Sequence, residues 1–343
     1  MTLPQVCGTP KASGTIRTRP EDFYVNEVLS FEPDGAGEHL FVNIEKTGAN
    51  TAWVASRLGR FAGALPRDVS YAGRKDRHAV TRQWFSIRLP GRSDPVWADC
   101  NIEGVRILGS VRHGRKLRRG ALARNQFIIV VRDLQGAGTD LEQSLVRVRE
   151  QGVPNFFGPQ RFGNDRSNLE MARGWFSGKI RLKNNKRSMA LSAARSEIFN
   201  AVLARRLRDG SWVRCLRGEA LNPAGRGGFF VCDDPDADII GRLATGQLHI
   251  TGPLWGGGDK IVRHEVAQLE AAVAVEHAEL AQGLVASRLT QERRALRVIP
   301  LNMSWELSDE TLTLRFDLPK GAYATSVLAA VITTKDQMAG AGR

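Results

Sequence analysis

The sequence predicts an α+β fold in which a helical block interrupts a strand-rich unit. Three observations carry this: alternating and β-branched segments dominate residues 1–150, helical periodicity takes over from about Thr139, and strand texture returns at Arg294. The order β-rich, helical, β-rich is what an insertion into one domain leaves behind, and the ends of that domain should then meet in space. At 343 residues the chain has material for about two domains and can bury a core without disulfide or metal support.

Each element follows from its local pattern. Ser13 to Arg17, Phe23 to Val28 and His39 to Glu45 fit half-buried strands. The turn cluster Glu32-Pro33-Asp34-Gly35-Ala36-Gly37 between the last two predicts a hairpin with a longer loop. Thr51 to Phe61 carries Trp53, Val54, Leu58 and Phe61 at helical spacing, a stripe expected in the core. Val69-Ser70-Tyr71 and Gln83 to Leu89 read as strands flanking a loop, and Gly104 to Arg112 as another strand. The apolar run Phe127 to Val131, inside Gln126 to Leu134, suits a strand covered on both faces. Helices are expected over Asp140 to Gln151, Asn168 to Phe176, Ser188 to Arg208 and Val262 to Ala286. Arg294 to Leu307 and Thr311 to Leu318 form a hairpin pattern around Ser308-Asp309-Glu310, and Ala322 to Thr333 reads as a closing helix.

Charge narrows the partners. Lys and Arg number 49 against 36 Asp and Glu, a net +13, and arginine, whose planar fork suits phosphates and bases, dominates. Nucleic acid is the natural partner. Arg112-His113-Gly114-Arg115-Lys116-Leu117-Arg118-Arg119-Gly120 places six basic side chains within eight positions, able to track a phosphate backbone. Lys179, Arg181, Lys183, Lys186 and Arg187 form a second basic patch, expected in a loop before the Ser188 helix. Gly225-Arg226-Gly227-Gly228 and Gly256-Gly257-Gly258 lack the context of a nucleotide-binding motif and are assigned to loops. The scattered Cys7, Cys100, Cys215 and Cys232 offer no zinc-ligand spacing. With no export signal and no membrane-length apolar run, a cytoplasmic protein is expected.

The chemistry is expected in Gly73-Arg74-Lys75-Asp76-Arg77-His78-Ala79-Val80-Thr81-Arg82-Gln83. It sets one carboxylate among four cationic side chains, between two strands. Cations favour the charged form of a carboxylate, and a charged aspartate can serve as a nucleophile. The plainer reading is a solvated surface ion-pair cluster.

That segment resembles the Gly-x-Lys-Asp-x-x-Ala-x-Thr-x-Gln signature of the TruD family of tRNA pseudouridine synthases. Further segments are similar in the same order: Pro20-Glu21-Asp22-Phe23, Phe31-Glu32-Pro33-Asp34-Gly35, Lys116 to Leu122 with Asn125 and Phe127, Gly152 to Gly163, Leu191-Ser192-Ala193-Ala194-Arg195, and Leu318-Pro319 through Ser326. The resemblance spans about residues 13–335. It implies a pseudouridine-synthase-like catalytic core, with a mixed, largely antiparallel sheet flanked by helices. This core would occupy residues 1–150 and 299–343, interrupted by a helix-rich TRUD insertion domain over 151–298. It also implies a tRNA substrate, with uridine at position 13 of the D-stem region as the target, and Asp76 as the catalytic residue. Phe23, Asn125, Phe127 and Tyr323 fall on substrate-contacting positions. Two departures stand out: Arg17 occupies a place where lysine is expected, and Val327-Leu328-Ala329-Ala330 lacks a common Arg-Glu pair.

The implied reaction is covalent attack by Asp76, glycosidic cleavage, rotation of the uracil and C–C bond formation. It requires no cofactor, and attack at C1′ or at C6 stays open. Arg17 is the candidate for holding Asp76, while His78 is assigned no role as a base. Arg115, Lys116, Arg118, Arg119, Lys186 and Arg187 are expected to bind RNA. No protein partner is required, and a monomer is expected. The rivals are a non-catalytic RNA-binding protein, an RNA methyltransferase, and a pseudouridine synthase acting on other RNAs.

Overall fold

The computed structural model describes residues 10–224 and 228–338, which leaves most of the Gly225 to Gly228 loop outside the described residues. The chain divides into two compact units. One contains Pro10–Arg149, Pro300–Ala324 and the described residues from Val331 on; the other contains Glu150–Ile299 and Thr325–Ala330.

A ten-stranded sheet organises the first unit. Its main order is Leu301–Leu307, Leu312–Pro319, Leu122–Gln135, Phe23–Leu29, Val80–Arg88, His39–Lys46 and Val105–His113. Most pairs are antiparallel, but Phe23–Leu29 runs parallel to Val80–Arg88, and Ser13–Ile16 runs parallel to Thr333–Asp336. The latter pairing joins the two chain-distant ends of the unit. Leu40, Val42, Ile44, Phe85 and Ile87 fill one sheet face and receive Val54 and Leu58 of the helix Thr51–Phe61. Phe41 and Leu117 belong to a separate cluster that ties the basic loop to the sheet.

Three expectations change here. Phe23–Leu29 and His39–Lys46 form no hairpin, because Val80–Arg88 lies between them; alternation identifies a strand but not its partner. The Phe127 to Val131 run is not covered on both faces: Phe127, Ile129 and Val131 are buried, while Ile128 and Val130 are only half-buried. Trp53 and Phe61 leave the core, at 40% and 39% exposed. Trp53 sits about 100° round the helix from Val54 and lies under the Arg57 guanidinium, whereas Phe61 packs on Trp97.

The second unit mixes helices with a four-stranded sheet of Phe230–Cys232, Glu219–Pro223, Leu248–Leu254 and Glu292–Ala295. Phe230–Cys232 has only three residues, and Leu248–Leu254 is buried at five of its seven residues, four of them consecutive, so neither shows a clear alternation. The helix Asn184–Arg208 buries Ala190, Ala193, Ala194, Ile198 and Phe199. It starts before Ser188, so Lys186 and Arg187 lie in its first turn rather than in a loop; apolar periodicity becomes visible only from Ala190. The single helix expected over Val262 to Ala286 is two, His264–Glu276 and Ala278–Ala286, broken at His277 with φ −118° and ψ 36°. Arg294 to Leu307 likewise splits into Glu292–Ala295, Arg297–Val298 and Leu301–Leu307. The closing helix covers Ala324–Val331, and the chain then returns as the strand Thr333–Asp336. Among the described residues no helix is long and apolar enough to cross a membrane.

Candidate active site

The loop from Ala72 to Ala79 is held from beneath by side chains that never reach solvent. Gln83, on the Val80–Arg88 strand, donates from Nε2 to the Gly73 carbonyl at 3.3 Å. Its Oε1 accepts from the Thr51 hydroxyl at 3.0 Å, and that hydroxyl in turn accepts from the Lys75 amide at 3.0 Å. Lys46 is fully buried and donates to the Asp76 carbonyl at 2.8 Å; burial pushes its ammonium down to about 8. Arg77 exchanges two hydrogen bonds with Gly48, through its amide carbonyl and its Nε. Ala79 and Thr81 are completely buried. The spacing of the signature is therefore a set of clamps on one backbone.

Those clamps present the Asp76 carboxylate, one third exposed. Oδ1 accepts the His78 amide at 3.0 Å, and Oδ2 lies 2.7 Å from Nη2 of Arg17. His78 thus contributes its backbone to the carboxylate. Arg17 is itself fixed on three sides: Nη1 pairs with Asp336, the guanidinium lies 4.3 Å over the Phe23 ring, and Nη2 meets Asp76. Its φ of 57° lies in the left-handed region, which costs an L-residue about 1–2 kcal/mol. These contacts hold the residue there.

Asn125 stands on the neighbouring strand, directly across from Glu27 in the ladder. Lys75 Nζ donates to Asn125 Oδ1 at 2.7 Å and pairs with Glu27 Oε2 at 2.7 Å. An ammonium can only donate, so this contact fixes the amide with its oxygen toward Lys75 and leaves the Nδ2 hydrogens as its remaining donors. Such donors suit a carbonyl oxygen of a uracil ring. Glu27 is buried, and its Oε1 accepts from the Trp84 amide at 3.3 Å.

The aromatic positions separate. Phe23 and Phe127 are 4% and 8% exposed, packed edge to face with centroids 6.3 Å apart, and Phe127 stacks on Phe316 at 5.4 Å. Phe127 therefore has no open face for stacking; it props Phe23, which supports Arg17. Tyr323 is 36% exposed and follows the strand whose Leu318 pairs with Asn125.

Sequence reasoning missed Lys46, Glu27, Thr51 and Asp336, and gave no individual role to Lys75 and Gln83, which the signature contains. A signal existed for two of the missed residues. Glu27 continues the inward phase of Phe23 and Val25, and Lys46 that of Leu40, Val42 and Ile44; a charge on the buried phase of a strand implies a buried partner.

The basic loop is exposed at Arg115, Lys116, Arg118 and Arg119, anchored by buried Leu117 and by the Gly120 amide on the Ala72 carbonyl at 2.8 Å. Lys116 donates to the Arg67 carbonyl at 2.7 Å. Arg112 is committed to Asp94 and to the Leu89 carbonyl, so it braces the loop. In the other unit, Arg187 donates to the Leu182 carbonyl and covers Trp175, while Lys186 is exposed.

A mixed sheet that displays one braced, partly exposed carboxylate and an amide oriented by a buried lysine defines an α+β protein with polar groups set to meet a ligand. The family model described as tRNA pseudouridine synthase D (TruD) matches residues 4–175 and 171–331. The chain is 46% identical over 332 residues to tRNA pseudouridine synthase D of Methylococcus capsulatus, covering 96% of this chain and 94% of that one. It is 39% identical to the protein of the same name from Pseudoalteromonas atlantica, covering 95% and 94%. A crystal structure of a Methanosarcina mazei protein assigned to TruD superposes with a TM-score of 0.73 at 20% identity, covering 96% and 98%, and shares the fold. This chain belongs to the TruD family of tRNA pseudouridine synthases.

Proposed function

We infer that the protein is a tRNA pseudouridine synthase, an isomerase that converts uridine in tRNA to pseudouridine. The target is the uridine at position 13 of the D-stem region, and Asp76 is the nucleophile. The observation that carries this reading is the Asp76 carboxylate itself, one third exposed and braced by Arg17 and the His78 amide.

Asp76 attacks the target nucleoside at C1′ or C6. The bond between N1 and C1′ breaks, the uracil rotates, C5 bonds to C1′, the Asp76 carboxylate is released from the carbon it attacked, and the proton lost from C5 is matched by one taken up at N1. Atoms are conserved, so no redox partner or energy source enters the reaction. A carboxylate nucleophile needs placement rather than a base. Arg17 supplies that placement, and Asn125 Nδ2 donates to a uracil oxygen. Extruding the nucleotide costs on the order of a few kcal/mol, which stacking on a face such as that of Tyr323 offsets by about 1–3 kcal/mol. Phe23 contacts the substrate by its edge, and Phe127 acts through Phe23. Arg115, Lys116, Arg118, Arg119, Lys186 and Arg187 bind RNA phosphates. The Glu150–Ile299 unit serves as the insertion domain, and the protein works in the cytoplasm as a monomer.

The test is incubation of purified wild-type and Asp76→Asn protein with unmodified tRNA transcripts, followed by pseudouridine mapping at nucleotide resolution. Wild type should yield product at position 13; Asp76→Asn should bind tRNA and yield none. Product from Asp76→Asn would place the nucleophile elsewhere.

A further inference from the structure

A concavity of 520 Å³ lies apart from the Asp76 carboxylate, within the same unit. Its walls are the helix residues Ala52, Ala55 and Ser56, Pro66 with the strand Val69 to Tyr71, and the loop from Lys116 to Arg119. Neither Asp76, Arg17 nor Asn125 lines it. Its size is that of a small-ligand pocket.

The lining has a definite chemistry. Lys116, Arg118 and Arg119 give it three cationic side chains, and none of the lining residues is acidic. Ala52, Ala55, Leu117 and the Tyr71 ring supply apolar surface. Tyr71 meets Phe85 in a T-shaped contact at 5.8 Å, which fixes the ring from one side. Cations for a phosphate and a ring for a base together match one ligand class: a nucleotide.

We propose that this pocket seats a nucleotide of the substrate tRNA other than the target uridine, with its phosphate on Arg118 and Arg119 and its base against Tyr71. The proposal rests on the tRNA reading above and adds a second point of nucleotide contact to it. The position of the pocket gives that contact a consequence. Tyr71 immediately precedes Ala72, whose carbonyl accepts the Gly120 amide at 2.8 Å, and the clamped loop to Asp76 starts there. A nucleotide held here grips the chain segment that leads to the nucleophile, so RNA docking and loop placement are mechanically joined.

The experiment uses the full chain and an unmodified tRNA transcript. First, the transcript is substituted with photoreactive 4-thiouridine, crosslinked to wild-type protein, and the attached peptides are identified. Adducts on Ser70, Tyr71 or Lys116 to Arg119 are expected; adducts confined to other surfaces overturn the proposal. Second, tRNA dissociation constants are measured for Tyr71→Phe, Tyr71→Leu, Arg118→Gln and Arg119→Gln, with urea unfolding as a check on each fold. Tyr71→Phe keeps the ring and should bind like wild type, whereas Tyr71→Leu should bind roughly 5- to 150-fold more weakly, the range for losing one base stack. Each arginine variant should lower the salt slope by about one. If the arginine variants weaken binding while folded Tyr71→Leu does not, the loop is a phosphate-tracking surface and the pocket is not a nucleotide site. Crosslinking at the pocket with no pseudouridine formed anywhere in the transcript would sink the enzymatic reading and leave the nucleotide site standing.

Discussion

Replacing Lys75 by methionine separates the two tasks of its ammonium. Lys75 Nζ is 2.7 Å from Glu27 Oε2 and 2.7 Å from Asn125 Oδ1, and the Lys75 and Glu27 side chains are 8% and 0% exposed. Removing the charge strands a buried carboxylate whose remaining contact is the Trp84 amide at 3.3 Å. Breaking a buried pair from one side costs about 3–5 kcal/mol. Replacing both partners is far cheaper, so Lys75→Met with Glu27→Gln should return to within about 1–2 kcal/mol of wild type. Catalysis should not return with it. The Asn125 amide is no longer held with its oxygen toward Lys75, and losing the donor it should present to uracil lowers the rate by roughly 3- to 10-fold, the worth of one neutral hydrogen bond. Urea unfolding measures the first effect, and single-turnover pseudouridine formation at saturating enzyme measures the second. A double variant that is stable and turns over at the wild-type rate refutes the orienting role of Lys75. A single variant as stable as wild type refutes the buried pair.

Three further outcomes follow from the geometry. Burial lowers the Lys46 ammonium to about 8 in the folded protein against 10.5 for the ordinary side chain. Between those values the unfolded chain binds the extra proton, so stability gains up to about 3 kcal/mol as pH rises through the window, and Lys46→Met should lack that gain; parallel urea-unfolding profiles for the two proteins would exclude it. Reversing Arg115, Lys116 and Arg118 to glutamate should weaken tRNA binding and flatten its salt dependence, and an unchanged slope removes them from the interface. Gly104 holds φ at +70°, and a Cβ there would lie 2.4 Å from the Thr47 carbonyl oxygen, so Gly104→Ala should cost at least about 2 kcal/mol in an unfolding titration; a variant as stable as wild type would show that the turn relaxes freely.

Much of the architecture was legible because its elements bury one face. Thr51–Phe61 emerged at its observed bounds from the spacing of Trp53, Val54, Leu58 and Phe61, and the return to strand texture near the end of the sequence anticipated the hairpin of Leu301–Leu307 and Leu312–Pro319 at one edge of the sheet. What alternation cannot carry is partnership. Nothing in Phe23–Leu29 or His39–Lys46 announces that Val80–Arg88 will run between them, parallel to one and antiparallel to the other. Short strands such as Phe230–Cys232 contain less than two periods, and His277 breaks a helical pattern without glycine or proline to mark it. At the site, the Asp76 loop was visible as charge in the wrong company, and its pairing with Arg17 could be anticipated. Asp336 could not, because its strand is four residues long and follows directly on the expected helix, which ended at Thr333. The basic residues divide on similar grounds: a run such as Arg112 to Arg119 looks uniform in sequence, yet Arg112 spends its guanidinium on Asp94 and the Leu89 carbonyl while Arg115 remains exposed.

The hidden strand changes how the Asp76 carboxylate should be understood. Ile16 pairs with Asp336 in the parallel ladder between Ser13–Ile16 and Thr333–Asp336, which sets Asp336 beside the next residue, Arg17. One guanidinium then bridges two carboxylates, Asp336 by Nη1 and Asp76 by Nη2. A flexible arginine beside a single carboxylate would lose side-chain entropy to form that pair, and an exposed pair of that kind contributes little. Here most of that loss is met by Asp336 and the Phe23 ring before Asp76 is engaged. The left-handed backbone of Arg17 follows from the same requirement, since the residue must leave the strand at Ile16 and still reach back over Phe23. The ordering of Asp76 is thus set by contacts from three separated parts of the chain, Arg17, Lys46 and Asp336, and it is complete only when the parallel end strands have paired.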